Sequence, residues 1–143
     1  MTPARLRRFV AALFVALASL GLAPLAWGGS YLDRAALMLD EARREGDMLQ
    51  PRTADKEMVL VVKTLAEARA KVGRKMEVPA AVVRAAPHLL LVLENYERAA
   101  EAADEGNFKK FMEHLNTARD EEKIFRSLLG ELGYTLPEIT SKR

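Results

Sequence analysis

Cysteine is absent from the 143-residue sequence. That absence excludes a disulfide framework, a thiol nucleophile, thioether-linked haem and a lipidated N-terminal cysteine. Aromatic residues make up only 6% of the chain, and histidine occurs twice. The sequence also lacks a glycine-rich phosphate loop and a serine in a nucleophile-elbow pattern. We therefore predict a protein that is not an enzyme and that carries no cofactor.

The N-terminal segment has the pattern of an export signal. Arginines and no acidic residue precede the uncharged apolar run 9–25, and the small residues Ala26 and Gly28 follow it. This order is typical of a signal peptide, so we predict that residues 1–28 are removed and that the protein is exported, to the periplasm or the outside if the source is bacterial. An uncleaved membrane anchor is one alternative. The paired arginines leave the twin-arginine route open as well as general secretion.

The net charge depends on whether that segment is retained. The whole chain has 22 basic and 20 acidic side chains and a sequence pI of about 9.0. Removing the three arginines of residues 1–28 leaves 19 basic against 20 acidic side chains, a formal charge of −1. A chain of nearly balanced charge lacks the basic surface that nucleic-acid binding requires, so no nucleic acid is expected as a partner.

The rest of the chain is rich in Ala, Leu, Glu, Arg and Lys, which favour helices. Apolar residues recur three and four positions apart in four segments, and short connectors join them. This pattern predicts an all-α domain over residues 29–143, an antiparallel up-down four-helix bundle preceded by the signal peptide. A looser array of two helical hairpins is the alternative. The predicted helices are residues 30–46, 53–73, 79–105 and 107–132, and we expect the third to be kinked or broken near Ala86, before Pro87.

Helix ends and buried faces follow from the same pattern. Ser30 is the expected N-cap of the first helix, and either Gly46 or Pro51 should end that helix. Gly106 suits a left-handed C-cap, with Asn107 as the N-cap of the fourth helix. The predicted buried face of the second helix consists of Ala54, Met58, Val61, Leu65, Ala68 and Val72.

Four polar residues stand out as candidate buried polar or interaction positions. Glu122 interrupts the apolar stripe of the fourth helix. We expect it either to have a partner, His88 or a basic residue of another helix, or to reach water at the edge of the bundle. His88 and Asn95 lie on a second, small-apolar face of the third helix, and His114 flanks the stripe of the fourth. The two histidines should lie about 15 Å apart along the bundle at a rise of about 1.5 Å per residue, too far to share one metal ion. No metal site is therefore predicted.

We predict an exported, non-enzymatic helical protein that acts through protein or envelope contacts. Its partner would be another protein or a second copy of itself, and a membrane would be involved only through an uncleaved N-terminal segment. The alternative is a bundle that binds a metal, haem or small apolar ligand in its core.

Overall fold

The computed structural model describes residues 30–139, and within this range the chain forms four α-helices and no strands. The predicted all-α class is thus confirmed. The predicted signal peptide, residues 1–28, lies outside the described residues. The helices, numbered in chain order, are α1 (Tyr31–Leu49), α2 (Lys56–Lys75), α3 (Ala86–Asp104) and α4 (Phe108–Glu131). Two short 3-10 helices lie in the connections, at Gln50–Arg52 and Ala80–Val82.

Side-chain caps fix the start of three helices. The Ser30 hydroxyl accepts a hydrogen bond from the Asp33 amide at 3.4 Å, as the sequence predicts. Asp55 caps α2 in the same way, and Asn107 caps α4 by accepting from the Lys110 amide at 3.0 Å. Each cap satisfies an amide that has no partner within its helix, and so sets the first residue of that helix.

The third helix begins at Ala86 and not at residue 79, so its predicted start was wrong. Pro87 lies in the first turn of the helix, where a backbone N–H would have no partner within the helix. Its ring therefore costs no helical hydrogen bond and meets no earlier turn of the same helix. Residues 80–85 instead form a 3-10 helix and a turn. The interruption near Ala86 is therefore a break, after which proline starts the helix, and not a kink.

Gly46 does not end the first helix, which continues to Leu49. A Cβ on Gly46 would lie 2.9 Å from Cε1 of Tyr96 and 3.0 Å from Cδ1 of Leu115. The glycine therefore lets the backbone of α1 approach α3 and α4 closely. The helix ends just before Pro51, which lies in the first turn of the following 3-10 helix.

The turn between α3 and α4 has the expected left-handed glycine. Gly106 has a φ of 73°, the amide of Asn107 donates to the Ala102 carbonyl at 2.9 Å, and the amide of Gly106 donates to that of Ala103. These two bonds form a Schellman motif, which satisfies the last carbonyls of α3 and reverses the chain within a few residues.

The core is centred on α3, which packs most extensively against α4 and then against α2. Its buried side chains are small at the C-terminal end, where Ala99, Ala100, Ala102 and Ala103 bring neighbouring helices close. Phe111 and Phe125 of α4 are almost completely buried and supply the bulk. Burial of this apolar surface is the main stabilising term of the fold.

The predicted buried face of α2 was wrong. Val61, Leu65 and Val72 are 58%, 47% and 46% exposed. The helix is apolar on two sides, and the side that faces the core carries Gly73. A Cβ on Gly73 would lie 2.6 Å from Cδ1 of Leu93. Only that side can approach α3 closely. The residues buried on it are Val59, Val62, Ala66, Arg69, Ala70 and Gly73.

Candidate functional site

A polar pair joins α3 to α4 near the start of α3. Nδ1 of His88 lies 2.7 Å from Oε2 of Glu121, and both side chains are partly buried, at 29% and 19% exposure. A carboxylate at this distance accepts a hydrogen bond from Nδ1–H of the imidazole. The pair makes no further contact with a titratable group of residues 30–139 within salt-bridge distance.

A second pair lies further along the same two helices. The amide nitrogen of buried Asn95 donates to the Leu91 carbonyl at 2.8 Å, one turn earlier on α3. Its carbonyl oxygen lies 3.2 Å from Nδ1 of His114. An amide oxygen can only accept, so Nδ1 of His114 is the donor. The hydrogen bond satisfies Asn95 at a position that is otherwise apolar.

Glu122 is partly buried, but His88 is not its partner. Its Oε2 accepts from Nε of Arg126 at 3.1 Å and lies 4.0 Å from Nη1 of Arg43 on α1. Glu121 takes His88 instead. Adjacent residues of a helix point about 100° apart, so Glu121 reaches α3 while Glu122 reaches α1.

Of the four predicted polar positions, these contacts bring Asn95 and His114 together, whereas His88 and Glu122 each have other partners. His88 and His114 belong to different pairs and share no partner. Within residues 30–139, no group of three or more His, Cys, Asp or Glu side chains is arranged to hold a metal ion.

Sequence reasoning missed a buried ion pair between α1 and α2. Nη2 of Arg69 binds Oε2 of Glu45 and lies 3.8 Å from Oε2 of Glu41. The Arg69 side chain is only 7% exposed, and its Nε and the Oε1 of Glu45 have no hydrogen-bond partner among the protein atoms. Burial raises the pKa of the Glu45 carboxyl, and the charge of Arg69 opposes that rise. The sequence signal was the position of Arg69 between Ala66 and Ala70, on the side of α2 that carries small residues.

A small cavity borders this ion pair. It has a volume of about 10 Å³ and is lined by Glu45, Arg69, Tyr96 and apolar side chains of all four helices. That volume accommodates one water molecule. A haem or an apolar ligand at this level of the core would require the helices to move apart.

The largest unexplained feature is an exposed apolar face on α2. We call it the α2 stripe and define it as Met58, Val61, Leu65, Ala68 and Val72, of which Met58 is partly buried against the core. Three of its members are close to half exposed or more, although they are large and apolar. Leu37 and Met48 of α1 are also exposed, at 48% and 39%. A contiguous apolar surface of this kind is typical of an interaction site.

Within the described part of the chain, none of the helices combines the length and apolar character needed to span a lipid bilayer. No protein-family model matches the chain, and no significant similarity links it to curated proteins or solved structures.

Proposed function

We propose that this chain is an exported, non-enzymatic helical-bundle protein that acts by binding another protein through the α2 stripe. The observation that carries the proposal is the exposure of Val61, Leu65 and Val72, which form one apolar line along a helix whose adjacent side is already buried in the core. Leaving such side chains in water costs about 25 cal/mol per Å² of apolar surface. A partner that covered them would recover that free energy.

The cross-helix contacts support an up-down arrangement of the bundle. Between α2 and α3, Lys63 pairs with Asp104 while Arg74 pairs with Glu94. Residue numbers that rise in one helix and fall in the other indicate antiparallel neighbours. The α3–α4 pairs described above follow the same order, and short connections of this kind favour antiparallel helices.

Export is supported by the N-terminal pattern, and the contact function by the charge of the remaining chain. A formal charge of −1 without residues 1–28 leaves no large field of one sign to attract nucleic acid. The α2 stripe would then provide the main driving force for association, because apolar burial dominates the core of most protein interfaces.

Photo-crosslinking in the producing cells tests this function. A photoreactive amino acid is placed at Leu65, in the stripe, or at Leu60, which is similarly exposed at 56% but lies about 140° around the helix. We expect a protein adduct from position 65 and none from position 60. Equal yields at both positions, or no protein adduct at position 65, would contradict the proposed contact face.

A further inference from the structure

We propose that the partner at the α2 stripe is a second copy of this chain, bound with its own α2 antiparallel to the first. The inference rests on the proposed function and names its partner. Members of the stripe are separated alternately by three and four residues, from Met58 to Val72. This spacing produces the continuous seam along which two helices pack as a coiled coil.

The charges beside the stripe select the antiparallel orientation. Glu57, Thr64 and Lys71 are seven residues apart, so they follow one edge of the stripe, and all three are exposed. Neither Glu57 nor Lys71 forms a salt bridge to any residue of 30–139. With two antiparallel helices centred near Thr64, Glu57 of each copy faces Lys71 of the other. In a parallel pair, the Glu57–Thr64–Lys71 edges of the two copies would lie on opposite flanks of the seam, so Glu57 and Lys71 would not meet.

Side-chain sizes fit the same register. In an antiparallel seam centred between Val61 and Leu65, Val61 of one helix packs against Leu65 of the other. Met58 then lies opposite Ala68, so a long side chain meets a small one. The arrangement is symmetric, and a twofold axis closes it at two copies without leaving a surface that could extend into a filament.

The opposite edge of the stripe is bordered by α1. Arg69 lies one turn from both Leu65 and Val72, and its guanidinium reaches Glu41 on α1. Leu37 and Met48 lie on the same side of α1 as Glu41, at helical spacings of four and seven residues. Exposed apolar side chains of the two helices thus flank this salt bridge.

A membrane surface fits these side chains less well. Glu57 borders one edge of the stripe, and Glu41, with a side chain 52% exposed, borders the other. Helices that lie on anionic bilayers are flanked mainly by Lys and Arg. The paired Glu and Lys of one edge match a copy of themselves better than they match a lipid headgroup layer.

Sedimentation equilibrium of the protein recovered from producing cells, with its N-terminus established by mass spectrometry, measures the dimer directly. We expect a monomer–dimer equilibrium. Leu65→Gln should raise the dissociation constant at least about tenfold, because each of the two copies places its Leu65 in the seam. Leu60→Gln is the matched control and should leave the dissociation constant unchanged. Circular dichroism should show the same helix content for both variants and the parent.

A charge exchange then tests the orientation. At low salt, Glu57→Lys and Lys71→Glu should each weaken the dimer severalfold, because each places like charges opposite one another. The double variant Glu57→Lys, Lys71→Glu should restore the parent affinity. Failure of the double variant to recover would overturn the antiparallel register.

Other results separate this inference from the proposed function. A protein that stays monomeric at several hundred micromolar, or a dimer insensitive to Leu65→Gln, overturns the second copy as partner. If position 65 nevertheless crosslinks to a different protein, only the partner assignment fails. An adduct within one chain, or Leu65-dependent binding of the monomer to phosphatidylglycerol vesicles without a protein adduct, overturns both proposals.

Discussion

At the scale of single residues, the least expected feature is a charge inside the bundle. Arg69 is buried beside Glu45, with one polar atom of each side chain unpaired within the protein. Burying two ions costs several kcal/mol each, and their attraction offsets this only in part. The pair is thus better suited to fixing how α1 lies against α2 than to adding stability.

A double-mutant cycle tests that view. Glu45→Leu and Arg69→Met should each destabilise the protein, Glu45→Leu by about 2–3 kcal/mol because it leaves a buried guanidinium with only a weak partner in Glu41. The double variant Glu45→Leu, Arg69→Met should lose much less than the sum of the single changes. Urea unfolding of the four proteins measures the coupling, and additive free energies would show that the two side chains act independently.

Gly46 permits a second prediction at this scale. Gly46→Ala should destabilise by about 1–3 kcal/mol, because the new methyl group would overlap Tyr96 and Leu115. Gly130→Ala is the matched control, since no atom lies within 4 Å of the Cβ added in α4. There the better helix propensity of alanine should stabilise by about 0.5–1 kcal/mol. Thermal unfolding measures both, and equal effects would disprove the close approach at Gly46.

At the scale of elements, the turn from α3 to α4 sets which residues of the two helices meet. Its Schellman hydrogen bonds and left-handed Gly106 reverse the chain, so that α4 runs antiparallel to α3 in a fixed register. In this register His88 lies opposite Glu121, and Asn95 lies opposite His114. A change in the turn would shift both polar pairs together.

Gly106→Ala should destabilise the protein by about 1 kcal/mol, because alanine is strained at a φ of 73°. No neighbouring atom would touch the added methyl group, so the loss is due to the backbone alone. Gly106→Asn should recover part of it, since asparagine tolerates this conformation better. Chemical denaturation provides the comparison, and a neutral alanine variant would contradict the strain.

At the scale of the whole molecule, burial of two phenols links stability to alkaline pH. Burial raises the pKa of Tyr31 and of Tyr96 to about 12, from 10.0 for the free side chain. The unfolded chain therefore loses these protons first. Their contribution to stability is complete below pH 10 and is lost as the pH rises through about 12.

Tyr96→Phe should reduce the loss of unfolding free energy at alkaline pH by about 1–2 kcal/mol, because charged side chains and solvent near the phenol weaken the effect of its burial. Denaturant unfolding at several pH values from about 9 to 12 measures it. Tyr134→Phe, at an exposed position, is the control and should leave the slope as it is. The same slope in Tyr96→Phe as in the parent would show that this phenol ionises freely in the folded protein.

The N-terminus provides a further whole-molecule prediction. The protein recovered from cells should begin at Gly29 and lie outside the cytoplasm, because residues 1–28 have the order of a cleaved signal. Intact-mass spectrometry of cell fractions reads this directly. Met1 in the soluble cytoplasmic fraction would refute export, whereas an intact chain in the membrane fraction would identify an anchor.

The sequence by itself determined the helical class, the caps at Ser30 and Asn107, and the turn at Gly106. Each depends on interactions within a few residues of the chain: helix propensity, a side chain that accepts from a nearby amide, or a φ that glycine adopts without strain. Such local preferences can be recognised without knowing what packs against them.

Only the tertiary structure decided which side of α2 is buried, and that Glu121 and not Glu122 meets His88. A helix apolar on two sides has two possible core faces, and Gly73 selects one only because Leu93 of α3 approaches there. The role of Gly46 and the pairing of Arg69 with Glu45 likewise depend on neighbours distant in sequence. Helical periodicity specifies the direction of each side chain around its own helix axis. These contacts depend in addition on how neighbouring helices are rotated and placed relative to each other.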